Sequence, residues 1–154
     1  MLGAGISPAV QRSLLLAQDE AARYGHPYIG TEHLVLGLLG EQANVAGAVI
    51  KECGADHASI RGWVERIIGA APGSSRVTGP AVPYTSRAKK SIELAMSEAA
   101  GMNAGALGTG HLLLGLLLEA HGPGGLALAE SGIDLDRARR AFAAVQAAGA
   151  VDPD

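Results

Sequence analysis

Apolar residues recur along this chain at intervals of three and four positions, which is the spacing of one face of an α-helix. The first segment with this spacing carries it at Val10, Leu14, Ala17 and Ala21. Ser7 and Pro8 stand immediately before it and are typical of a helix N-cap and a first helical position. No segment alternates between apolar and polar residues as a half-buried strand does. The pattern therefore predicts an all-α fold.

The same pattern returns 78 residues later. The segment that begins at Ile29 reads IGTEHLVLGLL, and the segment that begins at Leu107 reads LGTGHLLLGLL. The flanking residues align at the same offset without a gap, and about a third of the aligned positions are identical, which indicates a structural duplication. We predict two pseudo-symmetric four-helix repeats, at residues 7–69 and 85–147, packed into one domain over residues 1–149. Residues 70–84 form the predicted linker, and residues 150–154 form a tail.

Both leucine-rich segments are apolar on nearly every side, which predicts two buried helices that pack against each other. Thr31 and Thr109 are expected to cap them. Gly37 and Gly115 occupy equivalent positions inside them, where a glycine costs about 1 kcal/mol relative to alanine. We therefore expect another helix to approach closely at both glycines. The third helices are expected to run from about Val45 to Gly54 and from about Gly124 to Gly132.

Composition narrows the classes of function. The 154 residues suit one domain, and 48% of them are hydrophobic while 18% are charged. A net charge of -3 with 3% aromatic residues argues against nucleic-acid binding. No apolar run reaches the ~18 residues of a membrane span, and the N-terminus lacks the pattern of a secretion signal. The single cysteine excludes an internal disulfide and fits a reducing, cytoplasmic location.

The doubled leucine-rich motif, with AxxEA at residues 17–21 and PYTxRAKK at residues 83–90, resembles the N-terminal domain of Clp unfoldases, closest to the ClpC branch. The resemblance covers nearly the whole chain. It implies a helical double repeat that receives adaptors and substrates, including proteins marked by phosphorylated arginine, for an ATP-driven ring and its protease. The chain has no Gly-x-x-x-x-Gly-Lys-Ser/Thr phosphate loop, so we expect a non-catalytic module without cofactors. It would stand alone, as a decoy or accessory receptor, or form the front end of an unfoldase.

The resemblance also implies a phosphoarginine site. A helix N-terminus offers free N–H groups to phosphate, and a carboxylate pairs with a guanidinium. In the first repeat, Glu32 would bind the guanidinium and the Ser7 cap would lie near the phosphate. In the second repeat Thr85 is the equivalent cap, but Gly110 stands where the carboxylate would be, which predicts a weaker site or none. Glycine and alanine at residues 3–5 replace a basic residue of the family. Taken without the resemblance, Glu32 is better explained as a first-turn acid that stabilises the helix dipole; with the resemblance, the two explanations are about equally favoured.

Leu2 and Tyr84 form a possible apolar patch between the repeats. Related ClpC domains bind cyclic peptide antibiotics at such a patch through aromatic residues, and Leu2 replaces one of them here. The basic residues after Thr85 are explained either as a solvated helix face or as a surface for an acidic adaptor. Cys53 is expected to be a small buried side chain, because nothing nearby would activate its thiol.

The histidines suggest a metal site, since His26, Glu32 and His33 lie close together in sequence. His33 and His111 are repeat equivalents, however, which favours a shared structural role such as a hydrogen bond to a loop carbonyl. We therefore predict no metal site. Two other classes of function stay open: a hydrolase or metal-dependent enzyme hidden in the repeat, and a structural oligomerisation domain.

Overall fold

The structure is a computed structural model that describes residues 5–41, 43–69 and 82–154. Over these residues the chain forms eight α-helices and no β-strand, which confirms the all-α prediction with four helices in each repeat. The first repeat contains α1 (Pro8–Arg23), α2 (Thr31–Gly40), α3 (Val45–Glu52) and α4 (His57–Ile68). The second contains α5 (Ser86–Gly101), α6 (Thr109–Leu118), α7 (Pro123–Glu130) and α8 (Leu135–Ala147).

Short-range caps set where most of these helices begin. The Ser7 hydroxyl accepts the N–H of Val10 at 3.2 Å, and the Thr85 hydroxyl accepts the N–H of Ala88 at 3.1 Å. The two leucine-rich helices differ from the prediction, because their N-caps are glycines and their threonines are the first helical residues. The Thr31 hydroxyl instead accepts the N–H of Gly124 at 2.9 Å, at the start of α7 in the other repeat.

The two repeats exchange their third helices. Helix α3 packs against α6 and α8 of the second repeat, whereas α7 packs against α2 and α4 of the first. The pairs α1–α2 and α5–α6 stay within their own repeats, and α2 contacts α6 as predicted. The repeats therefore share one core, and neither is a separate four-helix unit.

The glycines of α2 and α6 allow the closest approach between helices. A Cβ at Gly37 would collide with the carbonyl oxygen of Ser13 in α1. A Cβ at Gly115 would collide in the same way with the carbonyl oxygen of Ser91 in α5. The expectation of a close contact is confirmed at both positions.

The linker and the tail are described only in part. Residues 70–81 of the predicted linker, and Leu2 with the rest of residues 1–4, lie outside the described residues. The tail packs against the helices, and its Pro153 carbonyl accepts a hydrogen bond from Arg12 at 2.9 Å. No single helix in the described ranges is long and apolar enough to span a membrane; α2 with α3, and α6 with α7, reach that length and composition only jointly, across bends of 96°.

Candidate ligand-binding site

Backbone hydrogen bonds join the two repeats at the starts of four helices. The N–H of Ser7 donates to the carbonyl of Leu107 at 2.9 Å, and the N–H of Thr85 donates to the carbonyl of Ile29 at 2.9 Å. Each contact lies within an isolated parallel bridge of extended backbone. The start of α1 therefore lies beside the start of α6, and the start of α5 lies beside the start of α2.

This crossing corrects the grouping that the sequence predicts. Glu32 lines a cleft with Thr85, the cap of the other repeat, and not with Ser7. Ser7 lies beside the segment that leads into α6, the helix that contains Gly110. The two caps have exchanged partners because each pair of helix starts is assembled from both repeats.

The cleft between the starts of α2 and α5 has a volume of about 360 Å³. We call it the cross-repeat cleft; its lining residues are Tyr28, Thr31, Glu32, Thr85, Ser86, Arg87 and Pro123. The first residues of α5 form part of its wall. Because the first N–H groups of a helix lack partners within it, this wall carries a partial positive charge.

Glu32 is an exception among the three buried carboxylates of the described chain. Glu20 pairs with Arg61 and Glu119 pairs with Arg87, each at 2.9 Å. Glu32 is only 4% exposed, and no arginine or lysine that the structure describes forms an ion pair with it. Burial raises the pKa of Glu32 above its ordinary value. A buried carboxylate without a cation is costly, so this side chain is one that a cationic ligand would satisfy.

A stack of rings lies directly beside Glu32. Tyr28 and His26 are stacked with 5.2 Å between ring centroids and 6° between ring planes. The ring of Tyr24 is stacked with that of His26, with 6.0 Å between ring centroids. Tyr28 is half-buried and is the member of the stack that reaches the cleft.

His33 connects this stack to the start of α2. Its Nδ1 accepts the N–H of Gly30 at 2.9 Å, so the proton of the neutral ring lies on Nε2 and is donated to Nδ1 of His26, also at 2.9 Å. Burial, followed by the nearby His26, lowers the pKa of His33 to about 4. His111 accepts the N–H of Gly108 in the same way. The shared structural role is confirmed, although the partner is an amide N–H and not the predicted carbonyl.

The same three residues that suggest a metal site in the sequence come together in the structure. Ligand atoms of His26, Glu32 and His33 all lie within 4.8 Å of one another. However, Nε2 of His33 carries the proton that it donates to His26, so it has no lone pair for a metal ion. Moving that proton to Nδ1 would break the hydrogen bond that Nδ1 accepts from the N–H of Gly30. The donor set as arranged does not fit a metal ion.

At the equivalent junction, where α6 begins beside α1, the chain itself occupies the side-chain space at Gly110 and binds the start of α6. A Cβ at Gly110 would lie 2.5–2.9 Å from three ring carbons of Phe142, which occupies the space of a side chain there. The Asp152 carboxylate accepts the N–H of Thr109 at 2.8 Å, its hydroxyl at 2.6 Å and the N–H of Val45 at 2.9 Å. The N-termini of α6 and α3 are therefore already bound to an anion.

The remaining predicted residues lie apart from the cleft or outside the described chain. Tyr84 is half-buried in the bridge with Ile29, and its predicted partner Leu2 is not among the described residues, so the apolar patch stays a prediction. Cys53 is buried as predicted, and burial raises the pKa of its thiol. A larger groove of about 640 Å³, between the starts of α3 and α4 and the tail, contains none of the predicted site residues.

Tyr28 and Arg87 line the cleft although neither is among the site residues that the sequence predicts. Arg87 reaches the cleft of Glu32 only through the crossing between the repeats, for which the sequence has no local signal. For Tyr28 the sequence does contain a signal. The second repeat replaces Tyr28 by Ala106 and Glu32 by Gly110, so both residues are lost together.

Known proteins resemble the chain over most of its length. The family model described as the Clp repeat N-terminal domain matches residues 6–131 and, in an overlapping match, residues 83–151. ClpC/MecB of Bacillus subtilis, a negative regulator of genetic competence, is 41% identical over 130 residues, which are 84% of this chain and 16% of that protein. The chloroplastic chaperone protein ClpC1 of Arabidopsis thaliana is 41% identical over 121 residues, 79% of this chain and 13% of that protein. The chain thus spans only a small part of the length of these relatives.

Solved structures of low sequence identity share the fold. The N-terminal domain of the chaperone ClpD from Arabidopsis thaliana superposes with a TM-score of 0.73 at 22% identity, covering 96% of this chain and 97% of that one. A ClpV N-domain, solved in complex with a VipB peptide, superposes with a TM-score of 0.70 at 18% identity, covering 95% and 89%.

Proposed function

Because this chain belongs to the Clp repeat N-terminal domain family, we propose that it is a non-catalytic receptor for proteins that carry phosphorylated arginine. It would receive them directly or from adaptor proteins and serve a Clp unfoldase, either as its front domain or as a separate chain. The observation that carries the proposal is Glu32, a buried carboxylate that no arginine or lysine of the described residues pairs with, in a cleft formed by a helix N-terminus.

A cationic ligand would give Glu32 the kind of partner that the other buried carboxylates already have. The buried carboxylates of Glu20 and Glu119 each receive an arginine from within the protein. A ligand guanidinium would supply the same partner to Glu32, with two parallel N–H···O bonds. Since Glu32 is already desolvated, this pair would form in a site of low dielectric, where it is strong.

The phosphate would be bound by the start of α5. Ser86 and Arg87 are its first two residues, and their N–H groups precede the one that Thr85 accepts. The Arg87 guanidinium is 2.9 Å from Glu119 and its side chain is 55% exposed, so its remaining N–H groups would be offered to a phosphate while the ion pair with Glu119 is kept. Phosphoarginine carries its phosphate on the guanidinium itself, so one cleft of this size holds both groups.

Isothermal titration calorimetry with free phosphoarginine tests the proposal. We expect saturable binding to the wild type with a stoichiometry of one, because at the equivalent junction the chain itself binds the start of α6. Glu32→Gln should weaken binding at least tenfold, since a charge-assisted hydrogen bond contributes about 1.5–3 kcal/mol. Glu93→Gln, which removes an exposed carboxylate of α5, is the matched control and should bind as the wild type does. Absence of wild-type binding, or equal binding by all three proteins, would contradict the proposal.

A cytoplasmic location is part of the proposal, and the single, buried cysteine supports it. The alternative of a metal-dependent enzyme predicts that chelation lowers the melting temperature. The alternative of an oligomerisation domain predicts a mass above that of one chain in light scattering. We expect neither result.

A further inference from the structure

The ring of Tyr28 is held in place by other rings and not by the hydrophobic core. His26 covers one face of it in nearly parallel stacking, and Tyr24 lies behind His26. His33 approaches the Tyr28 ring at a tilt of 56°, with 5.7 Å between centroids. One ring face is therefore occupied, while the same side chain lines the cross-repeat cleft beside Glu32.

We propose that the open face of Tyr28 is a stacking surface for the guanidinium of the ligand, and that it makes the cleft selective for arginine-type over lysine-type groups. This inference rests on the proposed function and assigns the residue that determines its specificity. A guanidinium is planar and weakly hydrated, so it stacks on an aromatic face while its edge donates to a carboxylate. A lysine ammonium is compact and strongly hydrated, and it gains less from a flat surface.

The electrostatics of the cleft suit this role. Burial, and after it the Glu32 carboxylate, raises the pKa of Tyr28. The phenol is neutral at pH 7 with or without this shift, and the face of its ring carries the partial negative charge that attracts a cation. Glu32 and Tyr28 would then contact the same guanidinium, one at its edge and one at its face.

The second repeat shows that the helix start does not need the ring stack. It retains the Gly-Thr sequence and the histidine that accepts the glycine N–H. It lacks the stack and the carboxylate together, with Ala104, Ala106 and Gly110 at the positions of His26, Tyr28 and Glu32. Because the same local fold forms without them, the stack and Glu32 are best explained as one unit that serves a ligand.

Calorimetry with free phosphoarginine and free Nε-phospholysine tests the inference on the wild type and two variants of Tyr28. Tyr28→Leu retains apolar bulk without an aromatic face and should weaken phosphoarginine binding about fivefold to twentyfold. Tyr28→Phe retains the face and should bind within about twofold of the wild type. The wild type should prefer phosphoarginine over phospholysine, and Tyr28→Leu should have a smaller preference, with the remainder due to the two hydrogen bonds that Glu32 accepts from the guanidinium.

The controls separate this inference from the proposed function. Tyr28→Leu should show the circular dichroism and the unfolding transition of a folded domain, as Ala106 in the second repeat indicates. If Tyr28→Leu binds phosphoarginine as tightly as the wild type while Glu32→Gln does not, the stacking role is wrong and the proposed function stands. An equal loss in Tyr28→Phe and Tyr28→Leu would also overturn it. If the wild type binds no phosphoarginine, both proposals fail.

Discussion

The buried carboxylates of this protein differ in whether an arginine pairs with them, and therefore in their contribution to stability. Glu20 accepts two hydrogen bonds from Arg61, at 2.9 and 3.1 Å, and so connects α1 to α4. Their repeat equivalents, Glu98 and Arg139, form the same pair at 2.8 Å. Glu32 is buried to a similar extent, but no arginine or lysine of the described chain pairs with it, and among side chains only the nearby His26 favours its charged form. The first kind of carboxylate stabilises the fold, whereas the second is expected to destabilise it.

Neutralising these two carboxylates should therefore change stability in opposite directions. Glu32→Gln removes a desolvated charge and should raise the free energy of unfolding by about 1 kcal/mol. Glu20→Gln leaves Arg61 without its partner and should lower it by about 2–3 kcal/mol. Urea unfolding at pH 7 measures both changes. A clear destabilisation by Glu32→Gln would show that its carboxylate has an internal partner after all.

His33 makes the stability of the fold depend on pH. Its pKa falls from the ordinary 6.5 to about 4 on folding, so between these values the unfolded chain binds a proton that the folded protein does not. The contribution of His33 is complete above pH 6.5 and is lost as the pH falls towards 4. The free energy of unfolding should drop by about 2 kcal/mol between pH 7 and pH 5 on account of this group. His33→Gln should have a flatter dependence; identical slopes for the two proteins would exclude His33 as the source.

At the scale of elements, the backbone and not the side chains sets how closely the paired helices approach each other. Helix α2 approaches α1 so closely that Gly37 faces the carbonyl oxygen of Ser13. A carbonyl within a helix cannot move aside as a flexible side chain can, so the space at this glycine is fixed by the packing of two whole helices.

Alanine substitutions distinguish this glycine from an ordinary helical one. Gly37→Ala should lower the free energy of unfolding by about 1–3 kcal/mol, because the clash exceeds the gain in helix propensity. Gly62→Ala in α4 should raise it by up to about 1 kcal/mol, since the nearest atom to its Cβ is a flexible Arg66 nitrogen at 3.6 Å. Thermal unfolding of both variants checks the sign. A stabilised Gly37→Ala variant would contradict the close approach.

At the scale of the whole molecule, the tail closes one of the two equivalent helix junctions. Asp152 binds the N-termini of α3 and α6, which belong to different repeats. At the other junction Pro123 begins α7 and offers no N–H, and the cross-repeat cleft is open. The duplicated fold is thus structurally asymmetric, because of its last residues, Phe142 and the change at position 110.

Removal of the Asp152 carboxylate should destabilise both junction helices. Asp152→Ala should lower the free energy of unfolding by about 2 kcal/mol, because one cap is worth about 0.5–2 kcal/mol and this residue serves two helices. Asp154→Ala removes an exposed acid of the same tail and should leave stability unchanged. Chemical unfolding of the two variants gives the comparison, and equal stabilities would mean that the tail does not hold the junction in solution.

Sequence alone determined the features that arise from contacts between residues close in the chain. Helical periodicity, the Ser7 and Thr85 caps and the repeat of 78 residues are local, so a single chain displays them. The partner of Glu32 is not local. The alignment of two pseudo-symmetric repeats is the same in two arrangements. In one, each helix start packs against a helix start of its own repeat; in the other, it packs against a helix start of the other repeat. Only the tertiary structure decided this, because long-range packing of α3 and α7 across the repeats selects the second arrangement and brings Thr85, not Ser7, to Glu32.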